Sequence, residues 1–72
     1  MKEITIKTTN PVSADKLLLN FGIVMEGGGK GNESVYVKND KGNYKARHLT
    51  GDLEFTKFAM KNQGYGIEII EN

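Results

Sequence analysis

EITIKTTNPVSADKLLLNFGIVM, residues 3–25, decides how this chain begins and therefore how it folds. From Glu3 to Thr8, Ile4 and Ile6 alternate with Glu3, Thr5 and Lys7, the two-residue period of a half-buried strand. Asn10-Pro11 ends it, because proline lacks an amide hydrogen and holds the preceding residue in extended backbone. Ser13 then reads as a helix N-cap whose hydroxyl accepts from a free first-turn amide, and Asp15 suits the positive end of the helix dipole. Ala14, Leu17, Leu18, Phe21 and Met25 follow at spacings of three and four, with Leu19, Ile23 and Val24 widening the stripe. That pattern predicts one amphipathic helix running on to Met25, with Gly22 as its weak point and Gly27 as its C-cap.

The rest of the chain is read against this strand and helix. Glu26-Gly-Gly-Gly-Lys-Gly-Asn32 is too rich in glycine for regular structure and is expected to be a flexible connection. Ser34 to Lys38 alternates around Val35 and Val37, Asn39-Asp-Lys-Gly42 has the residues of a hairpin turn, and Asn43 to His48 is the returning strand. A second helix starts at Asp52, with Thr50 or Gly51 next to its cap and Leu53, Phe55, Phe58, Ala59 and Met60 expected as its apolar face. Asn62-Gln-Gly64 closes it. A last strand from Tyr65 to Ile70 buries Ile67 and Ile69. The order β-α-β-β-α-β predicts a single α+β domain over residues 1–72, a two-layer sandwich. Its sheet is four-stranded and mainly antiparallel, with both helices on one face. Glu3, Thr5, Lys7, Tyr36 and Glu68 are expected on the open face.

Composition narrows the function classes. The 72 residues contain no cysteine, which rules out disulfides, thiolate metal sites and thiol nucleophiles. A domain this short buries only about 60% of its unfolded surface and usually needs staples if secreted, so a cytoplasmic setting is expected. Ten basic residues against nine acidic ones leave a net charge of +1. Without a basic run or stripe, nucleic acid is an unfavoured partner. No apolar stretch approaches the ~20 residues of a membrane span.

The order of elements and several short motifs resemble the histidine-containing phosphocarrier family, HPr, of the sugar phosphotransferase system of bacteria. Glu3-Ile-Thr-Ile6 followed by Asn10 and a turn is similar to that family's first strand and active-site approach. Val35-Tyr-Val-Lys-Asn-Asp-Lys-Gly42 with Lys45-Ala-Arg-His-Leu49 is similar to its central hairpin, and Gln63-Gly64 with Ile67-Glu-Ile69 to its fourth strand. The resemblance implies an HPr-like sheet; a ferredoxin-like sheet, with the same element order and another strand arrangement, is the alternative. Aligned on Asn10, Ser13 falls where the family carries its phosphorylated histidine and Asp15 where it carries a phosphate-steadying arginine. His48 falls at the family's regulatory serine. A serine phosphoester is no relay intermediate, and a carboxylate repels the phosphate an arginine clamps. The resemblance therefore implies a scaffold, bacterial or phage, that has lost the carrier role.

Ser13 as a nucleophile needs a base, and His48, the only imidazole, is the only candidate. Gly27-Gly-Gly-Lys-Gly31 lacks the Gly-Lys-(Ser/Thr) ending of a phosphate-binding P-loop and follows a helix where a P-loop follows a strand. The nine carboxylates form no acid–base pair, and no metal-ligand spacing or cofactor motif is present. The expected function is a non-enzymatic protein-interaction module. Its partner, another protein, is expected to meet Ser13, Lys16, Arg47, His48 and Phe55 at the start of the first helix and around the second. Two alternatives are a phosphotransfer or regulatory protein using His48 or Ser13, and a weak single-stranded nucleic-acid binder using Tyr36, Tyr44 and Tyr65.

Overall fold

The computed structural model of the chain describes residues 2–28 and 35–71. Strand β1 (Lys2–Thr8) leads into helix α1 (Pro11–Leu19) and a short strand β2 (Ile23–Met25). Strand β3 (Tyr44–His48), helix α2 (Leu53–Asn62) and strand β4 (Ile67–Glu71) complete it. The sheet runs β2-β3-β1-β4 with every neighbouring pair antiparallel. Ile4 and Ile6 of β1, Tyr44 and Ala46 of β3, Ile23 and Met25 of β2 and Ile67 and Ile69 of β4 share one face. They form a single core with Ala14 and Leu18 of α1 and Met60 of α2. The expected α+β sandwich, four antiparallel strands with two helices on one face, is the observed architecture.

β1 and β2 run parallel with β3 between them, and β3 and β4 run parallel with β1 between them. This double split β-α-β is the ferredoxin-like arrangement of the two considered. It has a direct consequence for any site. α1 starts at the Thr8 end of β1, whereas α2 starts beyond His48, which pairs with Lys2 at the opposite end.

Five local expectations are corrected. The first helix stops at Leu19 and does not reach Met25. Phe21 and Gly22 donate back to the carbonyls of Leu18 and Leu19, and Gly22 then takes a left-handed φ of 78°. A Cβ there would lie 2.1 Å from the carbonyl oxygen of Thr50, and the Gly22 carbonyl accepts from Leu49. Only glycine fits, so Ile23, Val24 and Met25 leave the helix and become the edge strand. Gly27, with φ 80°, consequently follows a strand and caps no helix.

Ser13 is likewise not the N-cap. Asn10 takes that place, its Oδ1 accepting from the Ser13 amide at 3.2 Å, with Pro11 at the first helical position where a missing amide hydrogen costs nothing.

The strand expected over 34–38 shrinks to a single bridge, Lys38 to Tyr44, because Ile23–Met25 already pairs with most of β3. Val37 continues that edge by accepting from Lys45 and donating to Glu26. The hairpin turn is present as read: Asn39 donates to Asn43, Gly42 donates to Asn39, and the Asn39 side chain accepts from the amides of Lys41 and Asn43. Tyr36 is on the helix side, not the open face. It is buried edge-on against Tyr44 and donates to Asp15 Oδ2 at 2.7 Å. Residues 29–34, most of the glycine-rich connection, lie outside the described residues.

Candidate functional site

α2 is capped by Asp52 itself, where the sequence pattern starts the helix, its Oδ1 accepting from the Phe55 amide at 3.2 Å. Its buried face, however, is Thr56 and Met60, with Leu53, Lys57 and Ala59 half-buried. The Thr56 hydroxyl donates to the Asp52 carbonyl, so its burial leaves no unmet hydrogen bond. The expected apolar face of Phe55 and Phe58 is turned outward: the two rings are 60% and 65% exposed. Three residues apart, they are surface neighbours on one helix. Two phenyl groups at this exposure on a domain this small are out of proportion to scattered surface apolar residues.

The remaining expected contacts are distributed over the molecule. Ser13 and Lys16 are exposed on α1, which shares the helical layer with Phe55. Arg47 lies on the open face of the sheet opposite Glu3 and Val24, half-buried, with its Nε unpaired among the described residues. His48 faces the helices at the Lys2 end, half-buried, with Nε2 enclosed and without a partner among the described residues. Ser13 lines a 180 Å³ recess with Thr8, Asn10, Leu17 and Tyr65 at the Thr8 end. The length of β1, roughly 20 Å at about 3.3 Å per residue, separates the two ends. Serine and imidazole therefore form no nucleophile–base pair, and Phe55, in the first turn of α2, lies at the end away from Ser13, so the five expected contacts are not brought together.

Asp15 is buried and bonded to Tyr36, so it does not face the recess beside Ser13. Tyr36 and Tyr44 are both core residues and only Tyr65 is exposed, which removes the aromatic sheet-face platform considered for nucleic acid. A larger groove of 590 Å³ runs along the Thr8 end past Asn43, Met60, Gly64 and Ile67. Its titratable lining residues are Lys7, Lys61 and Glu68. Among the described residues no three His, Asp or Glu side chains gather as metal ligands, and no helix is long and apolar enough to cross a membrane.

One charged network ties α2 to the sheet. Lys2 and Lys57 both donate to Glu71, Lys57 to Oε2 at 2.6 Å. The two donated bonds, from Lys2 and then Lys57, lower the Glu71 carboxyl to about 2. The bond to Glu71 in turn raises the Lys57 ammonium.

Comparison with known protein families, with curated proteins and with solved structures finds no match to this chain. The sequence signal for the exposed rings was the competing stripe Leu53, Thr56, Lys57, Met60, which has the same helical spacing as the aromatic one. Residue size favoured the wrong stripe.

Proposed function

We propose that this domain is a non-enzymatic protein-interaction module on a ferredoxin-like scaffold, and that its partner docks on the outer surface of the helical layer. The observation that carries the reading is the exposed pair Phe55 and Phe58 on a well-capped helix. Exposed Glu54 and Lys61 on the same helix supply a polar margin, an apolar centre with a polar rim being the usual anatomy of recognition. Charges of both signs beside the rings, Glu54 and Lys61, suit a protein surface better than a phosphate backbone.

The test places a photo-crosslinking residue at Asn62, on the exposed end of α2, and a control at Lys7 on the open sheet face. The expected result is one discrete adduct from the Asn62 position in the native host, lost when Phe55→Ser is added. Equal adducts from both positions, or an adduct indifferent to Phe55→Ser, would overturn the reading. Phosphate transfer by Ser13 or His48 is the competing activity, and a covalently phosphorylated chain in the same preparation would favour it.

A further inference from the structure

The sheet ends at β4, and among the described residues nothing pairs with that strand's outer edge. An open strand of five residues, Ile-Glu-Ile-Ile-Glu, presents a row of backbone donors and acceptors that can template another strand. Natural edges are commonly guarded by charges pointing inward or by a bulge. Here Glu71, the charge on the helix side of β4, is occupied by Lys2 and Lys57.

The helix above this edge carries a pattern that fits one particular occupant. Lys57 reaches Glu71 on β4 and α2 packs on that strand, so the flank of α2 bearing Lys57 lies over the edge strand. Glu54 stands 3.9 Å from Lys57 on that flank, and Lys61 follows four residues later. The flank is thus acidic in the first turn of α2 and basic in the last.

We infer that the β4 edge and this flank of α2 bind a second copy of the same chain about a two-fold axis. Pairing β4 antiparallel with its copy would make one continuous eight-stranded sheet and lay the two α2 helices side by side and antiparallel. Glu54 of each copy then faces Lys61 of the other, the self-complementarity that a two-fold interface requires. An axis at Ile69 places Ile69 against Ile69 of the second copy and Glu68 opposite Ile70. An axis at Glu68 would set like charges directly opposite and is disfavoured. The surface used is the strand edge and the helix flank. Glu54 and Lys61 also border the exposed rings, so the two surfaces share that margin, but Phe55 lies outside the dimer surface and its substitution separates the two readings.

Five residues of strand pairing with one helix flank fall short of the ~800 Å² per partner of a standard interface, so the dimer is weak, with Kd of roughly 10–100 µM. The experiment is sedimentation equilibrium of the full chain from about 10 µM to 1 mM at low salt, with hydrogen exchange at both extremes. Dimerisation with protection of the Ile67–Glu71 amides that rises with concentration is expected. Lys61→Glu, on an exposed position, weakens association about tenfold, and Glu54→Lys with Lys61→Glu restores it. Phe55→Ser leaves association unchanged while abolishing the partner adduct. A monomer across the whole range, a dimer indifferent to Lys61→Glu, or a swap that fails to rescue would overturn the inference.

Discussion

The two helices lie on the same face of the same sheet and use their apolar residues in opposite ways. α1 turns Ala14 and Leu18 into the core and keeps Ser13 and Lys16 outside. α2 buries a threonine and a methionine and leaves two phenylalanines in solvent. A fold selected for stability alone would not choose the second arrangement, since burying a phenyl ring yields about 1.5–3 kcal/mol. The contrast separates a helix that holds the domain together from one that the domain displays.

Removing matched side chains is the most direct way to break this comparison, and it has the largest expected effect. Leu18 is fully buried, so Leu18→Ala should cost about 2–5 kcal/mol in urea unfolding, a serious loss for a domain this small. Phe58→Ala, which removes more carbon from an exposed site, should change stability by no more than about 0.5 kcal/mol. Comparable losses from both would mean that α2 is a core helix after all.

The next largest effect concerns where α1 ends. Gly22→Ala forces a Cβ into the Thr50 carbonyl at a left-handed backbone position. The expected cost is about 2–3 kcal/mol, read from the urea midpoint, with α1 and β2 losing hydrogen-exchange protection before β4. A neutral substitution would show that the helix continues through Gly22, as the periodicity of Phe21 and Met25 suggests.

These two sites also show which parts of the fold are legible in sequence. Period-two alternation around Ile4 and Ile6, and around Ile67 and Ile69, locates the central strand and one edge strand, because apolar residues facing the helices alternate with polar ones along each. The Asn39–Gly42 turn is readable because the Asn39 side chain bonds to the turn's own backbone, whereas the cap of α2 falls on Asp52, one or two residues past Gly51 and Thr50. Ile23-Val-Met25 was not, since a three-residue apolar run after a helix continues the helical stripe as well as it starts a strand. The deciding contact, Gly22 against Thr50, is 28 residues away in sequence. The candidate surface was legible in part: Phe55 was named, but as a residue of the apolar face and beside Arg47 and His48. Strand order, which no local pattern carries, places the starts of the two helices at opposite ends.

The smallest effect distinguishes how the two helices are fastened. α1 is joined to the segment after the glycine-rich connection by the buried Asp15–Tyr36 bond, whereas α2 is joined to the sheet by the solvent-facing bonds of Lys57 and Lys2 to Glu71. Glu71 titrates at about 2 in the folded chain against an ordinary value of 4.5. Between those values the unfolded chain binds more protons than the folded one, so stability from Glu71 is complete above about pH 4.5 and is lost as pH falls towards 2. Because the network faces water, salt should screen it and its contribution should be modest. Thermal unfolding of the wild type and of Glu71→Gln should therefore differ at pH 6, converge as pH falls from 4.5 to 2, and differ less in about 1 M salt. Curves that stay parallel through that window would show that Glu71 fastens nothing, and that α2 is held by Thr56 and Met60 alone.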